Sequence, residues 1–343
     1  MSDVLTDTEL LDLTKLTLKS FKKLKFAQIA QKLSRYEVLP RIMKKDKILI
    51  EDGTQIQRLL MVKDAGSARN VGLYSKDEYN TVDVMQEVNI PWRHSTNNYS
   101  YDQRELAMNG GPSKIVDLLK VKRTAAMLAD AELKEADFWS KPVNSGDKLP
   151  IMGVQYWIVR NPTEGFTGGA PSGFSLGAGG LLHDNWKNWS AAYTNITRDD
   201  LIRKMRKATR KTKFESPVDI DDYRKGAGQQ YRIYMNEATI DSFEVLAENQ
   251  NDNLGVDLNS MDNSTTWKKS PLRYIPALDD DTQNPIYMLD WSDISPIFLK
   301  GWWLRENSPK EIYDRHTVIK VDIDSTWNLL FTDRRRHSVF YVA

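Results

Sequence analysis

The sequence predicts an α+β protein built on one very long helix and one very long strand. Residues 112–139, PSKIVDLLKVKRTAAMLADAELKEADFW, place Ile115, Leu118, Leu119, Ala125, Ala126, Leu128, Ala129, Leu133 and Ala136 at three- and four-residue steps with charges between them. That is the period of one buried helical face. In residues 317–331, TVIKVDIDSTWNLLF, Ile319, Val321 and Ile323 alternate with Lys320, Asp322 and Asp324, and Trp327, Leu329 and Phe331 continue the face. At a 1.5 Å rise the helix runs roughly 40 Å, where helices of compact domains average ~11–12 residues. At ~3.3 Å per residue the strand spans roughly 50 Å. Such a pair builds a flat tile more readily than a sphere around a pocket.

Composition narrows the function. The 343 residues suffice for one large or two ordinary domains with a real core. With 48 basic and 47 acidic residues the net charge is +1, so overall charge calls for neither a nucleic acid nor a membrane. The absence of cysteine removes disulfides, thiol nucleophiles and Cys-ligated metals. Four scattered histidines, His94, His183, His316 and His337, give no metal-ligand spacing. Neither a signal peptide nor a run of ~18 apolar residues is found, so the expectation is a soluble protein made inside a cell. The inventory is poor in catalytic equipment, and no catalytic residue, cofactor or metal is assigned.

The elements follow in chain order. From Leu10 the positions Leu13, Leu16, Phe21, Leu24, Ile29, Leu33 and Tyr36 suggest an amphipathic helix ending before Pro40. Residues 15–47 hold eleven Lys/Arg, Lys22, Lys23 and Lys25 among them, against Glu37 and Asp46, a local net of +9. This is either an arm lying on polyphosphate or an acidic partner, or a solvated helix face. Over 48–101 the period changes. Val82, Val84, Val88 and Ile90 alternate with Asp83, Met85, Glu87 and Asn89, apart from Gln86, and Ile56, Leu60 and Val62 do so less cleanly, around the polar tip KDAGSARNVGLYSKDEYN. Two long strands with a long tip make an extended hairpin, which needs something to lie on: its own sheet, or a neighbouring copy. Asn109-Gly110-Gly111 reads as a turn, and Pro112 suits the first turn of the long helix.

After that helix, GVQYWIV at 153–159 reads as a buried strand, and GFTGGAPSGFSLGAGG at 165–180 as a surface loop. Neither G-x-x-x-x-G-K-[ST] nor G-x-G-x-x-G occurs there, since Leu182 stands where the last glycine would fall. His183-Asp184 has no serine elbow beside it, so a catalytic dyad is unsupported. Two helices of opposite charge follow. The first opens at Thr197 with Asp199 and Asp200 in its first turn, then runs LIRKMRKATRK with Arg203, Arg206, Lys207 and Arg210 on its flanks. The second follows strand YRIYM with Asn236 as cap and covers EATIDSFEVLAENQ, including Glu244 and Glu248. From Asn236 to Thr266 there are seven acidic residues and no basic one. Within a subunit such charges gain little. Across a subunit boundary they orient self-association, so Arg203, Arg206, Lys207, Arg210, Glu244 and Glu248 are candidates for intersubunit pairs. Asp279-Asp280-Asp281 lacks the glycine and distal glutamate of a calcium loop and reads as a polar turn. The long strand ends in a basic turn, Asp333-Arg334-Arg335-Arg336, before a last strand, SVFYV.

The order of elements, and the stretches DLLKVKR (117–123), DFWSKP (137–142), DDLIRKMRKA (199–208), LAENQNDNLG (246–255), FLKGWWLRE (298–306) and TWNLLFTDRRR (326–336), resemble the major capsid proteins of tailed bacteriophages. The resemblance spans nearly the whole chain and lies in the number and order of these phrases. It implies a Hong Kong 97-type capsid fold: an N-terminal arm over 1–47, an extended loop over 48–101 and a peripheral domain over 102–189 with spine helix 112–139. Residues 190–300 would then form the axial domain, and 301–343 would return as strands of the peripheral domain. The Gly-rich 141–188 has no place in that plan and reads as an insertion. The implied function is a self-assembling icosahedral shell of hexamers and pentamers around double-stranded DNA, located in the virion and assembled in the host cytoplasm. The implied partners are further copies of the chain, a portal and, because the N-terminal region is too short for a built-in scaffold, a separate scaffolding protein; no membrane is implied. Lys22, Lys23, Lys25, Arg334, Arg335 and Arg336 are the candidates for facing DNA or scaffold. No lysine–asparagine cross-link is assigned. An encapsulin-like nanocompartment would share the fold, and a nucleotide-binding enzyme would need the phosphate signature that the Gly-rich loop lacks.

Overall fold

The computed structural model describes residues 37–43, 48–61, 66, 68–73, 84–109, 112–144, 146–170, 184–213, 231–251, 266–268 and 270–343. The expected helix over 10–36, with Lys22, Lys23 and Lys25, lies outside the described residues, as do His183 and most of the hairpin tip.

The long strand is β14, Arg315–Phe331, seventeen residues. One of its edges pairs antiparallel with β4 (Arg93–Asp102) from Val318↔Asp102 to Trp327↔Arg93. The other edge is taken in turn by β13 (Lys310–Ile312), β12 (Arg305–Glu306) and β11 (Ile294–Leu299). The short β1 (Leu49–Glu51) closes that side by pairing parallel with β11. The expected hairpin is present as β2 (Gln55–Met61) and β3 (Met85–Pro91), antiparallel with Ile56 opposite Ile90.

The long helix is α3, Pro112–Trp139, twenty-eight residues, after α1 (Leu39–Ile42) and α2 (Gln103–Asn109). Its facing differs from the expectation. Ala126, Asp130, Lys134 and Phe138, four residues apart, are buried, whereas Val121, Ala125, Ala129, Leu133 and Ala136 are exposed. The inward face therefore carries a salt bridge in its middle, Lys134 Nζ to Asp130, and Asn97 of β4 donates to the Ala126 carbonyl beside it. A buried Lys–Asp pair four apart satisfies itself on one helix, so periodicity counted from apolar residues alone picks the wrong stripe.

A second sheet has the order β5 (Gly165–Gly168), β6 (Asn188–Tyr193), β15 (Ser338–Val342), β10 (Ile286–Asp290), β7 (Tyr231–Met235), β9 (Ser270–Tyr274), β8 (Thr266–Trp267). One face carries α5 (Arg203–Thr212) and α6 (Glu237–Asn251), whose Met205, Ala208 and Phe243, with Leu201 just before α5, pack on Ile233, Met235, Ile286 and Met288. The opposite face sends Tyr234, Tyr287 and Val339 into a core rich in aromatic rings. There Phe138 stacks on Trp291 at 5.6 Å, Trp157 on Phe331 at 5.8 Å and Phe298 on Trp327 at 5.6 Å. Edge and offset ring contacts of this kind add to plain burial. Phe138 and Trp139 of DFWSKP and Trp327, Leu329 and Phe331 of TWNLLF thus belong to one core.

Three expectations are corrected here. Val154–Trp157 is a short helix, α4, not a strand; a short apolar run buried all round has no periodicity to separate the two. The last two strands do not return to one sheet, because β14 lies in the first and β15 in the second. Likewise β4 and β11, expected in the loop and the axial unit, both belong to the sheet of β14. Strand partners are set by pairing between distant segments, which the local pattern does not encode.

Candidate functional site

The basic turn sits where the chain crosses between the sheets. Asp333 caps it, its carboxylate accepting from the Arg335 N–H at 3.2 Å. Arg334 is fully buried and does not face outward as expected. It donates to the carbonyls of Trp157 (2.5 Å), Gly168 (3.3 Å) and Gly169 (2.7 Å) and to Asn188 Oδ1 (3.1 Å), and lies 5.4 Å from the Trp186 ring. Burial pulls its guanidinium down to about 9. Arg335 and Arg336 are half exposed and pair with Asp333, and Arg336 also pairs with the buried Asp290 at 3.2 Å. The neighbouring crossing, 291–293, joins the same network: Asp293 accepts from the Asp333 N–H at 2.9 Å and lies 3.3 Å from His337 Nε2. His337 Nδ1 accepts from the Asp290 N–H at 3.2 Å. The turn is chiefly an internal clamp.

The start of the described chain is pinned to the end of α3. Glu135 accepts from the backbone N–H of Val38 (3.0 Å) and Leu39 (2.7 Å), at the N-terminus of α1. Burial raises its carboxyl to about 7 against these donors, and burial, with Asp130 adding to it and Lys134 opposing, raises Asp137 to about 6. The pinned segment is the last part of the expected basic arm.

Two apolar surfaces are left outside. On the hairpin, Ile56, Val88 and Ile90 are buried, while Leu59, Met61 and Met85 on the other side are 68%, 72% and 52% exposed. Met61 stands directly opposite Met85, so these side chains form one patch towards the free end. On α3 the outward stripe runs from Val121 to Ala136. The sequence held a signal for the first: apolar residues at Leu59 and Met61 occupy the parity opposite to Ile56 and Leu60.

The charged helices are placed as expected. Thr197 caps the first, accepting from the Asp200 N–H at 3.3 Å, and one turn of π-helix at Arg198–Ile202 leads into α5. Arg203, Arg206 and Arg210 are exposed, while Lys207 pairs within the subunit with Glu164 at 3.0 Å. Asn236 caps α6 by accepting from the Thr239 N–H at 3.2 Å. Glu237, Asp241 and Glu244 are exposed; the side chain of Glu248 lies outside the described residues.

Among the described residues no group of His, Asp and Glu is arranged to hold a metal, and no helix is long and apolar enough to cross a membrane. Asp281 is held by Arg160 at 3.1 Å and Asp279 accepts from the Glu237 N–H at 3.2 Å, as a polar turn requires. A cavity of about 590 Å³ at the end of α3 is lined by Glu132, Glu135, Trp139, Lys141, Pro276 and Asp280. Ser140 also lines it, and its hydroxyl donates to the Asp137 carbonyl at 2.9 Å.

No protein-family model matches the chain, and no curated protein is similar to it in sequence. Solved structures are similar in fold. The capsid asymmetric unit of cyanophage A-1(L) matches with a TM-score of 0.63 at 12% identity, over 95% of this chain and 98% of that one. The capsid of the empty GTA particle matches with 0.57 at 11% identity, over 96% and 98%, and that of the native GTA particle with 0.55 at 14%, over 95% and 97%. Coverage is nearly complete in both directions, so the likeness concerns the whole architecture. The chain has the mixed helix-and-strand fold of these capsid structures.

Proposed function

We propose that this chain is the major capsid protein of a tailed double-stranded DNA bacteriophage, many copies of which close into the icosahedral head. The observation that carries the reading is the end-to-end likeness to the cyanophage A-1(L) capsid subunit at a TM-score of 0.63, with no part of the tile left over for a separate catalytic domain. Two surface features support it. The patch of Leu59, Met61 and Met85 and the outward stripe of α3 are apolar areas that a solitary soluble chain has reason to cover. A neighbouring copy covers both without any change of fold, adding buried area that a monomer lacks. The role is structural rather than enzymatic. In this reading residues 1–47 are an arm, 48–91 an overlapping loop, and the basic arm with Lys22, Lys23 and Lys25 faces scaffold or packaged DNA. A scaffolding protein and a portal act in assembly, which takes place in the host cytoplasm before the head becomes part of the virion.

Electron microscopy of particles purified with and without nuclease, beside their nucleic-acid absorbance, tests this. Closed shells, filled with nuclease-protected DNA when the packaging partners are supplied, are the expected result. Shells loaded with a protein cargo and never with DNA would turn the reading to a nanocompartment. Chains that remain monomeric with scaffold present would end it.

A further inference from the structure

The two charged helices present matched stripes. On α5, Arg203, Arg206 and Arg210 recur at three and four residues, and all are exposed. On α6, Glu237, Asp241 and Glu244 recur at four and three, and these too are exposed. Each stripe spans eight residues of helix, seven steps of rise, about 10 Å. The inward sides of both helices are fully engaged by Met205, Ala208, Thr239 and Phe243, so neither stripe can turn into the core.

The basic stripe is reinforced from elsewhere in the chain. Lys268, in the turn between β8 and β9, lies close enough to Arg206 and Arg210 that their charges, after its own partial burial, depress its ammonium. It takes a left-handed backbone, φ 49°, and rests 5.2 Å from the Trp267 ring. Non-glycine residues hold that conformation only where the surroundings enforce it. Among the described residues no carboxylate pairs with Arg203, Arg206 or Arg210, whereas Lys204 and Lys207 beside them pair with Asp200 and Glu164. Cations collected from two elements and left unneutralised await an anionic surface. The acidic stripe supplies one of equal length, with the exposed Val245 beside Glu244 as an apolar centre for contact.

We infer that Arg203, Arg206, Arg210 and Lys268 of one copy dock on Glu237, Asp241 and Glu244 of the next, a head-to-tail contact that orders copies around a ring. A surface paired with a different surface on its neighbour repeats until the rotation closes. The proposal rests on the shell reading and names its contact. The nearest rival partner is the phosphate backbone of nucleic acid, which the same cations would also attract.

The test uses the full-length chain with charge-reversal pairs. Arg206→Glu with Arg210→Glu, and separately Asp241→Lys with Glu244→Lys, should each lower the assembled fraction in sedimentation velocity at least tenfold. Combining all four in one chain should restore it to within about twofold of wild type. Thermal melts by circular dichroism identify variants that have merely unfolded, and the four-fold variant reports on the contact even if one pair does unfold. Reversal pairs that fold and assemble as wild type does overturn this inference and leave the shell reading standing. So does a four-fold variant that folds but fails to assemble. Loss of bound nucleic acid with assembly unchanged would assign the basic stripe to phosphate instead. A wild-type chain that never assembles with scaffold present removes both.

Discussion

Arg334 holds its guanidinium against four acceptors, none of them charged. Removing it strands the carbonyls of Trp157, Gly168 and Gly169 away from water. Arg334→Met should therefore lower unfolding free energy by about 2–4 kcal/mol in urea titrations, and Arg334→Lys should recover little, since an ammonium cannot span the same fork. Arg335→Ala, on the half-exposed neighbour, should stay within about 0.5 kcal/mol. Three consecutive arginines look alike in sequence; only the crossing between sheets decides which of them is inside. Glu135 and Asp137 make a second prediction at this scale. Their carboxyls are raised to about 7 and about 6, so the folded chain binds more protons than the unfolded one between roughly pH 4 and 7. Their contribution is complete below the ordinary carboxylate range and is lost as pH rises through those values, on the order of 3 kcal/mol for Glu135. Carboxyls held low, such as Asp200, Asp281 and Asp333, act in the opposite sense, at more acid pH. Denaturation at pH 5 and 7.5 should show the fall, and Glu135→Gln should flatten it. An unchanged slope in that variant would mean that the segment at Val38 is held by other contacts.

At the scale of elements, lengths were legible, and so was the face of β14, whose Val321, Ile323, Trp327, Leu329 and Phe331 are buried as their period predicts, but the face of α3 was not. Helix α3 and strand β14 are found where period and length put them, because a repeat sustained over many residues outweighs local exceptions. The face of α3 was misread because Lys134 and Asp130 neutralise each other inside, and a charge counted as outward was in fact inward. Residues 153–159 failed for a different reason, since a run buried all round has no polar phase to read. The hairpin offers the sharper test. Leu59→Asp with Met61→Asp changes side chains that are already solvated in the single subunit, so its melting temperature should move by no more than a few degrees while the assembled fraction falls steeply. Assembly at wild-type yield would show that this patch is not a contact.

Over the whole molecule, the order of elements revealed the architecture, whereas the division of strands between sheets did not follow from it. The last two strands part company at a turn of a few residues, and nothing in SVFYV says which sheet it joins. The candidate surfaces were partly legible: the opposite charges of α5 and α6 could be read directly, but Lys268 could not, because only the fold brings it to Arg206. That separation of positive and negative stripes onto two helices has a combinatorial consequence. Mix the variant reversed on α5 with the variant reversed on α6, and each copy can follow only a copy of the other kind. Alternation is a two-colouring, and a cycle with an odd number of members cannot be two-coloured. The mixture should then restore even-membered rings while five-membered ones stay frustrated, and an icosahedral surface without fivefold vertices cannot close. Open sheets or tubes in place of shells, seen by electron microscopy, would be the signature of a contact that has direction.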